Sequence, residues 1–204
     1  MADITAPEIL KRILAGNRRW AEGSSERDFL GAPEDPQLHQ PPVAVIGCSD
    51  ARVMPAAIFG AAPGAIFTLR LPGHYVDIPV AAGLGFAVTT AGARLAIVLA
   101  HEDCRAVEAA FTEYQTGTAP DKALAPLSGA LAAGLYEAGG AASLAEATDV
   151  NARHTAQKLL AQCAALRHEV GLGRAQLAVL RYSPLTRLLT VLDESVKPIS
   201  PSSH

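Results

Sequence analysis

The chain has 204 residues, 50% of them apolar, which is enough to bury one substantial core and too few for two full-sized domains. Its 17 basic and 20 acidic residues leave a formal net charge of -3, so the basic excess of a nucleic-acid or anionic-lipid binder is missing. No run of about 18 apolar residues offers a membrane span. The first twenty residues, MADITAPEILKRILAGNRRW, mix acids and bases without the apolar block of a secretory signal, so a soluble cytoplasmic protein is expected.

Residues 7 to 22 space Ile9, Leu10, Ile13, Leu14 and Trp20 along one stripe with basic residues between them. This predicts an amphipathic helix opened by Pro7, and residues 1–23 read as an N-terminal helical arm. A polar, proline-bearing run from Ser24 to Pro42 reads as a surface connection. VAVIG at 43–47 and LAIVLA at 95–100 are short, rich in β-branched residues and free of alternation, which fits strands buried on both faces of a parallel sheet. AIFTLRL at 65–71 and AQLAVLRY at 175–182 are weaker candidates of the same kind. Segments 78–92 and 105–115 have helical composition, so strand and helix alternate. That order predicts a single α/β domain over 1–204, with a mainly parallel central sheet flanked by helices. An alanine-rich stretch broken by glycines follows Pro126, then one long helix over NARHTAQKLLAQCAALRHEVG, closing at Gly171. Residues 197–204 have the composition of a frayed tail.

Three cysteines, an odd number in a chain without a secretory signal, are a poor disulfide framework and are expected to be reduced. The two strongest strands end in chemistry. VAVIG runs into Cys48-Ser49-Asp50-Ala51-Arg52, and LAIVLA runs into His101-Glu102-Asp103-Cys104. Ligands of open parallel sheets bind beyond the carboxyl ends of the strands, so if these strands are neighbours, Cys48, His101 and Cys104 converge. His101 and Cys104 are three apart at a helix start and would share a face. Two thiolates and an imidazole suit zinc, and three protein ligands leave a fourth position for water or substrate, the pattern of a catalytic site. A water bound there would supply hydroxide near neutral pH. Asp50 beside Arg52 stays ionised and oriented, fit to accept a hydrogen bond and position the attacking group. Each piece is common alone: a free cysteine after an apolar strand is usually core, and Asp-x-Arg is usually a surface pair. The argument rests on their combination. Cys163 sits in a helical apolar pattern and reads as core, and His74 and His154 as ordinary polar residues rather than ligands.

These residues resemble the β-class carbonic anhydrases, whose signature is Cys-x-Asp-x-Arg after one strand and His-x-x-Cys after another. LAGNRRW at 14–20, RLPGH at 70–74 and ATDVNARHTAQKL at 147–159 are similar to further segments of that family in the same order. The resemblance implies a sheet of about four core strands, a zinc ion (Zn2+) on Cys48, His101 and Cys104, and a homodimer or larger homo-oligomer in which the N-terminal helix packs on a partner. It also implies reversible hydration of carbon dioxide to bicarbonate and a proton, with Asp50 and Arg52 as catalytic residues and no nucleic acid or membrane as partner. Bicarbonate-regulated members carry a tryptophan where this chain has Val45, so that regulation is not expected here, although Arg70 is present.

Departures from the family pattern are Ala100 before the histidine, His74 for an asparagine, Arg181 near the end, and Arg105 after the second cysteine, where glycine is usual. Arg105 either points into solvent or leans over the pocket mouth, where it would attract anions. Other readings stay open: hydrolysis of carbon disulfide or carbonyl sulfide on the same site, a non-catalytic zinc- or anion-binding homologue obstructed by Arg105, or Cys48 as a nucleophile with His101 as base, which leaves Cys104 unexplained.

Overall fold

The computed structural model describes residues 4–24 and 38–197. The Ser24–Pro42 connection therefore lies largely outside the described residues, as do residues 198–204 of the tail. The chain runs α1 (Ala6–Ala21), β1 (Val43–Gly47), α2 (Pro55–Ile58), β2 (Ile66–Arg70), a 3-10 turn (Pro72–His74), α3 (Ile78–Thr89), β3 (Leu95–His101), α4 (Arg105–Thr116), α5 (Ala125–Glu137), α6 (Leu144–Gln162), α7 (Ala164–Gly171), β4 (Gln176–Tyr182) and β5 (Leu189–Asp193). The sheet has five strands in the order β2-β1-β3-β4-β5. The first four are parallel, as expected for about four core strands, and β5 closes one edge antiparallel to β4.

Burial explains why β1 and β3 lack alternation. Both are buried along their whole length because each face of the sheet is covered. Ala44 and Ile46 of β1 and Val98 and Ala100 of β3 pack with Leu84 of α3, Leu159 of α6 and Leu166 of α7. Val43, Val45, Ile97 and Leu99 face the other way, onto Ile9 and Ile13 of α1 and Ile58 and Phe59 at the end of α2. Each such side chain, fully buried, contributes roughly 1.5–3 kcal/mol.

The helix ends show local chemistry that periodicity could not register. α1 begins at Ala6, one residue before Pro7, because Thr5 is its N-cap and both its backbone N–H and its hydroxyl donate to Glu8. α3 stops at Thr89 rather than reaching residue 92, and the chain turns at Gly92 with φ 79°. The long helix expected to run through to Gly171 is two helices. Cys163 adopts extended backbone between them, its Sγ accepts from the Leu166 N–H at 3.3 Å, and Arg167 donates to the Leu160 and Ala161 carbonyls that α6 leaves unpaired. Cys163 is thus buried, as expected, and also serves as a cap.

Helix α3, IPVAAGLGFAVT, is apolar on every side, yet only one side meets the sheet: Ile78 is 80% and Phe86 45% exposed. No described helix is long and apolar enough to cross a membrane.

The N-terminal arm is held by close backbone approach. A Cβ added at Gly16 would lie 2.1 Å from the Phe59 carbonyl oxygen, a backbone atom that cannot swing aside. Gly16→Ala is therefore expected to destabilise the protein by about 1–3 kcal/mol or more through overpacking. Denaturant unfolding checks this, and an unchanged midpoint would mean that α1 does not seat on α2 in this way.

Candidate metal centre

β1 sends the chain to β2 on one side, while β3 lies on its other side, so the crevice at the carboxyl ends of β1 and β3 is the topological switch point of the sheet. Cys48 directly follows β1, His101 ends β3 and Cys104 caps α4. Their ligand atoms all lie within 4.8 Å of one another, all three residues are buried, and the two Sγ atoms are 3.8 Å apart. His101 and Cys104 do not share a helix face. The connection between them is a turn in which Asp103 takes φ 54°, and this left-handed residue folds Cys104 back beside the strand end. Arg52 closes the turn by donating to the Asp103 carbonyl at 3.1 Å.

The donor atoms are prepared for a cation. The His101 Nδ1 lies 2.8 Å from the Glu102 carbonyl, which can only accept, so Nδ1 carries the proton and Nε2 offers a lone pair. Nε2 is buried and has no hydrogen-bond partner. An orphaned imidazole lone pair facing two thiols is the donor set of a soft or borderline divalent ion, and zinc fits it.

Electrostatics follow from crowding. The two thiols act on each other: a Cys104 S–H donating to Cys48 holds the Cys48 pKa well below the ordinary thiol value. Burial opposes this, while the N–H groups of Asp50 and Gly73, each 3.4 Å from Sγ, assist. The Cys104 thiol is pushed up, first by that same Cys48 bond and then by burial. Asp50 is gripped by Arg52, whose Nε donates to Oδ1 at 3.0 Å, Nη2 to Oδ2 at 2.7 Å and backbone N–H to Oδ1 at 2.9 Å. These bonds hold its pKa at about 2 against partial burial. Asp50 Oδ2 lies 4.0 Å from His101 Nε2, so the carboxylate borders the space a ligand would enter.

The carbonic anhydrase family model matches residues 43–186, most of the chain and all of this centre. The chain belongs to the carbonic anhydrase family. It is 35% identical over 113 residues to carbonic anhydrase 2 of Mycobacterium tuberculosis, covering 54% of this chain and 55% of that protein. The chain thus spans about half the length of the curated relatives it first matches. Among solved structures, the Coccomyxa β-carbonic anhydrase in complex with acetazolamide superposes with a TM-score of 0.67 at 22% identity, covering 97% of this chain and 90% of that one. One of two tetrameric β-carbonic anhydrases from Sordaria macrospora gives 0.65 at 18% identity, covering 90% and 96%. At these identities the likeness is one of fold, and the fold is that of the β-carbonic anhydrases.

Around this centre three residues matter that the sequence alone left without a role. Arg70, opposite Gly47 in register, donates from Nε to the Cys48 carbonyl at 2.9 Å and from Nη2 to the Asp50 carbonyl at 2.7 Å, clamping the loop that carries both. Its sequence signals were a charge at the end of a candidate strand and its place in RLPGH, neither of which shows what it grips. His74 stands outside the donor cluster, but it is fully buried, with burial pulling its pKa down to about 4, so it stays neutral. Asn151, buried on α6, donates to the His74 ring. His154 is partly buried against Glu137 and also stands outside the donor cluster. Arg105 is settled as an outward residue: its side chain is 86% exposed and pairs with Glu108 one helical turn on, so its guanidinium does not cover the thiols.

The Asp50 carboxyl is expected to titrate near pH 2 in the folded protein. Because this lies below its ordinary value of 3.8, its contribution to stability is complete above 3.8 and is lost as pH falls through about 2. Arg52→Met should move that titration up toward the ordinary range, as read by carboxyl 13C NMR. An unmoved Asp50 would remove Arg52 as the cause.

Proposed function

We propose that this chain is a zinc-dependent carbonate dehydratase that interconverts carbon dioxide and water with bicarbonate and a proton, with Cys48, His101 and Cys104 as metal ligands and Asp50 and Arg52 as catalytic residues. The observation that carries this reading is the orphaned His101 Nε2 facing two thiols 3.8 Å apart, in a chain of this family. Zinc held by Cys48, His101 and Cys104 would supply Lewis acidity, lowering the pKa of water near it.

The chain's own residues supply the rest. Glu102 holds the His101 ring through its carbonyl, keeping the lone pair aimed inward. Asp50, ionised at all working pH values, accepts a hydrogen bond from the attacking water and orients the oxygen lone pair toward the carbon of the substrate. Arg52 fixes that carboxylate by two side-chain bonds and ties it to the Asp103 turn, so that Asp50 and Cys104 keep one geometry. The outward position of Arg105 takes away the obstruction that would have favoured a non-catalytic homologue. We also propose assembly into a homodimer or larger homo-oligomer. The exposed apolar face of α3 at Ile78 and Phe86 supports it, since such a face is stabilised by burial against a second copy.

Stopped-flow hydration of carbon dioxide on protein of measured zinc content tests the reaction. Zinc-loaded protein without hydration activity overturns it, and activity toward carbonyl sulfide or carbon disulfide alone would reassign the substrate. Fully active zinc-free protein would make Cys48 a nucleophile instead.

One zinc per chain is expected, and Cys48→Ser, His101→Ala and Cys104→Ser should each remove most of it by elemental analysis. Any of these variants with a full complement rejects that ligand.

Asp50→Asn should retain zinc while losing roughly two orders of magnitude in hydration rate, because the amide neither holds the charge against Arg52 nor orients the water in the same way. A rate equal to the parent's would leave Asp50 a structural part.

A further inference from the structure

Outside the metal ligands, His74 and Asn151 form a buried polar pair that the proposed reaction does not use. The Asn151 Nδ2 lies 2.9 Å from His74 Nε2 and 3.2 Å from the Gly73 carbonyl oxygen. The Gly73 carbonyl can only accept, which orients the amide: flipping it would set oxygen against oxygen. Nδ2 therefore donates to both atoms, His74 Nε2 accepts, and the neutral ring carries its proton on Nδ1. That Nδ1–H is buried and has no hydrogen-bond partner. A buried donor left unpaired is costly.

The pair sits against the metal centre: His74 follows Gly73, whose N–H reaches Cys48 Sγ at 3.4 Å. Both residues of the turn sit in the left-handed region, Gly73 at φ 64° and His74 at φ 46°. For a non-glycine residue this conformation persists only when the surroundings hold it. The hold is Asn151. A Cβ at Gly73 would meet Leu131 at 2.7 Å, so the turn is also pressed from the α5 side.

We propose that Asn151 and His74 are positioning residues for Cys48: by donating to both the His74 ring and the Gly73 carbonyl, Asn151 clamps the turn that keeps the Gly73 N–H on Cys48 Sγ. This rests on the metal-centre reading above. His74 cannot itself ligate, because one ring nitrogen is committed to Asn151 and the other bears the proton. Its effect is on the placing of a ligand.

The test is metal affinity and ring tautomer, read separately. Zinc dissociation constants are measured by chelator competition, and the cobalt(II) derivatives are compared through their thiolate charge-transfer bands. His74→Phe keeps a ring but loses both nitrogens, and should weaken zinc binding roughly tenfold to a hundredfold, as loss of an outer hydrogen-bonding partner does, and shift the cobalt band. His74→Asn tolerates the positive φ and can accept from Asn151, so it should recover most of the affinity. Folded His74→Phe with the parent's affinity and cobalt band overturns the proposal, as does failure of His74→Asn to recover either. The 15N NMR spectrum of the parent ring decides independently of how the variants fold: an Nδ1–H tautomer supports the clamp and an Nε2–H tautomer overturns it. A parent that binds no zinc overturns the metal-centre reading itself, which distinguishes that failure from this one.

Discussion

Two buried thiols 3.8 Å apart cannot both ionise in a low-dielectric pocket, and an imidazole lone pair beside them has nothing in the protein to bond to. Everything around the switch point answers that constraint. A divalent ion would bring a charge able to compensate both thiolates. Its uptake would release protons, and affinity for it would rise with pH.

The chain meets this demand mostly with backbone. Peptide N–H groups of Asp50 and Gly73 point at Cys48 Sγ, the Glu102 carbonyl sets the His101 tautomer, and Arg70 grips the carbonyls of Cys48 and Asp50. Such groups lose little entropy on binding because the sheet has already fixed them. The parallel register of β1 with β2 and β3 is what delivers them together: Gly47 stands opposite Arg70 on one side and Leu99 on the other, two residues before His101. A shift of one residue in either strand would turn the donor atoms out of the crevice.

Charge is distributed in two layers. Asp50 and Arg52 form the inner one, bordering the site, where the carboxylate is kept anionic by direct bonds. Farther out, Arg181 donates from Nη1 to both oxygens of Asp149 at 2.8 Å, joining β4 to α6 beside the strand end. Arg105 belongs to neither, since its charge is spent on Glu108 in solvent, where such a pair contributes little.

Much of this was legible from residues alone. Unbroken apolar runs ending in Cys-Ser-Asp-Ala-Arg and His-Glu-Asp-Cys announced buried parallel strands with thiol and imidazole donors at their ends, because short-range patterns report burial and strand ends report sites. The limits were equally physical. Whether His101 and Cys104 met through a helix face or a turn depended on one dihedral, that of Asp103. The break at Cys163 needed Arg167 to reach back for two carbonyls. The direction of Arg105 depended on Glu108. His74 read as unremarkable because its partner, Asn151, stands 77 residues away, and only folding brings the two within a hydrogen bond. The sequence by itself determined which donor atoms exist and on which strand ends they ride. The tertiary structure decided which of their lone pairs remained free, because hydrogen-bond partners distant in the chain are chosen by packing and not by local pattern.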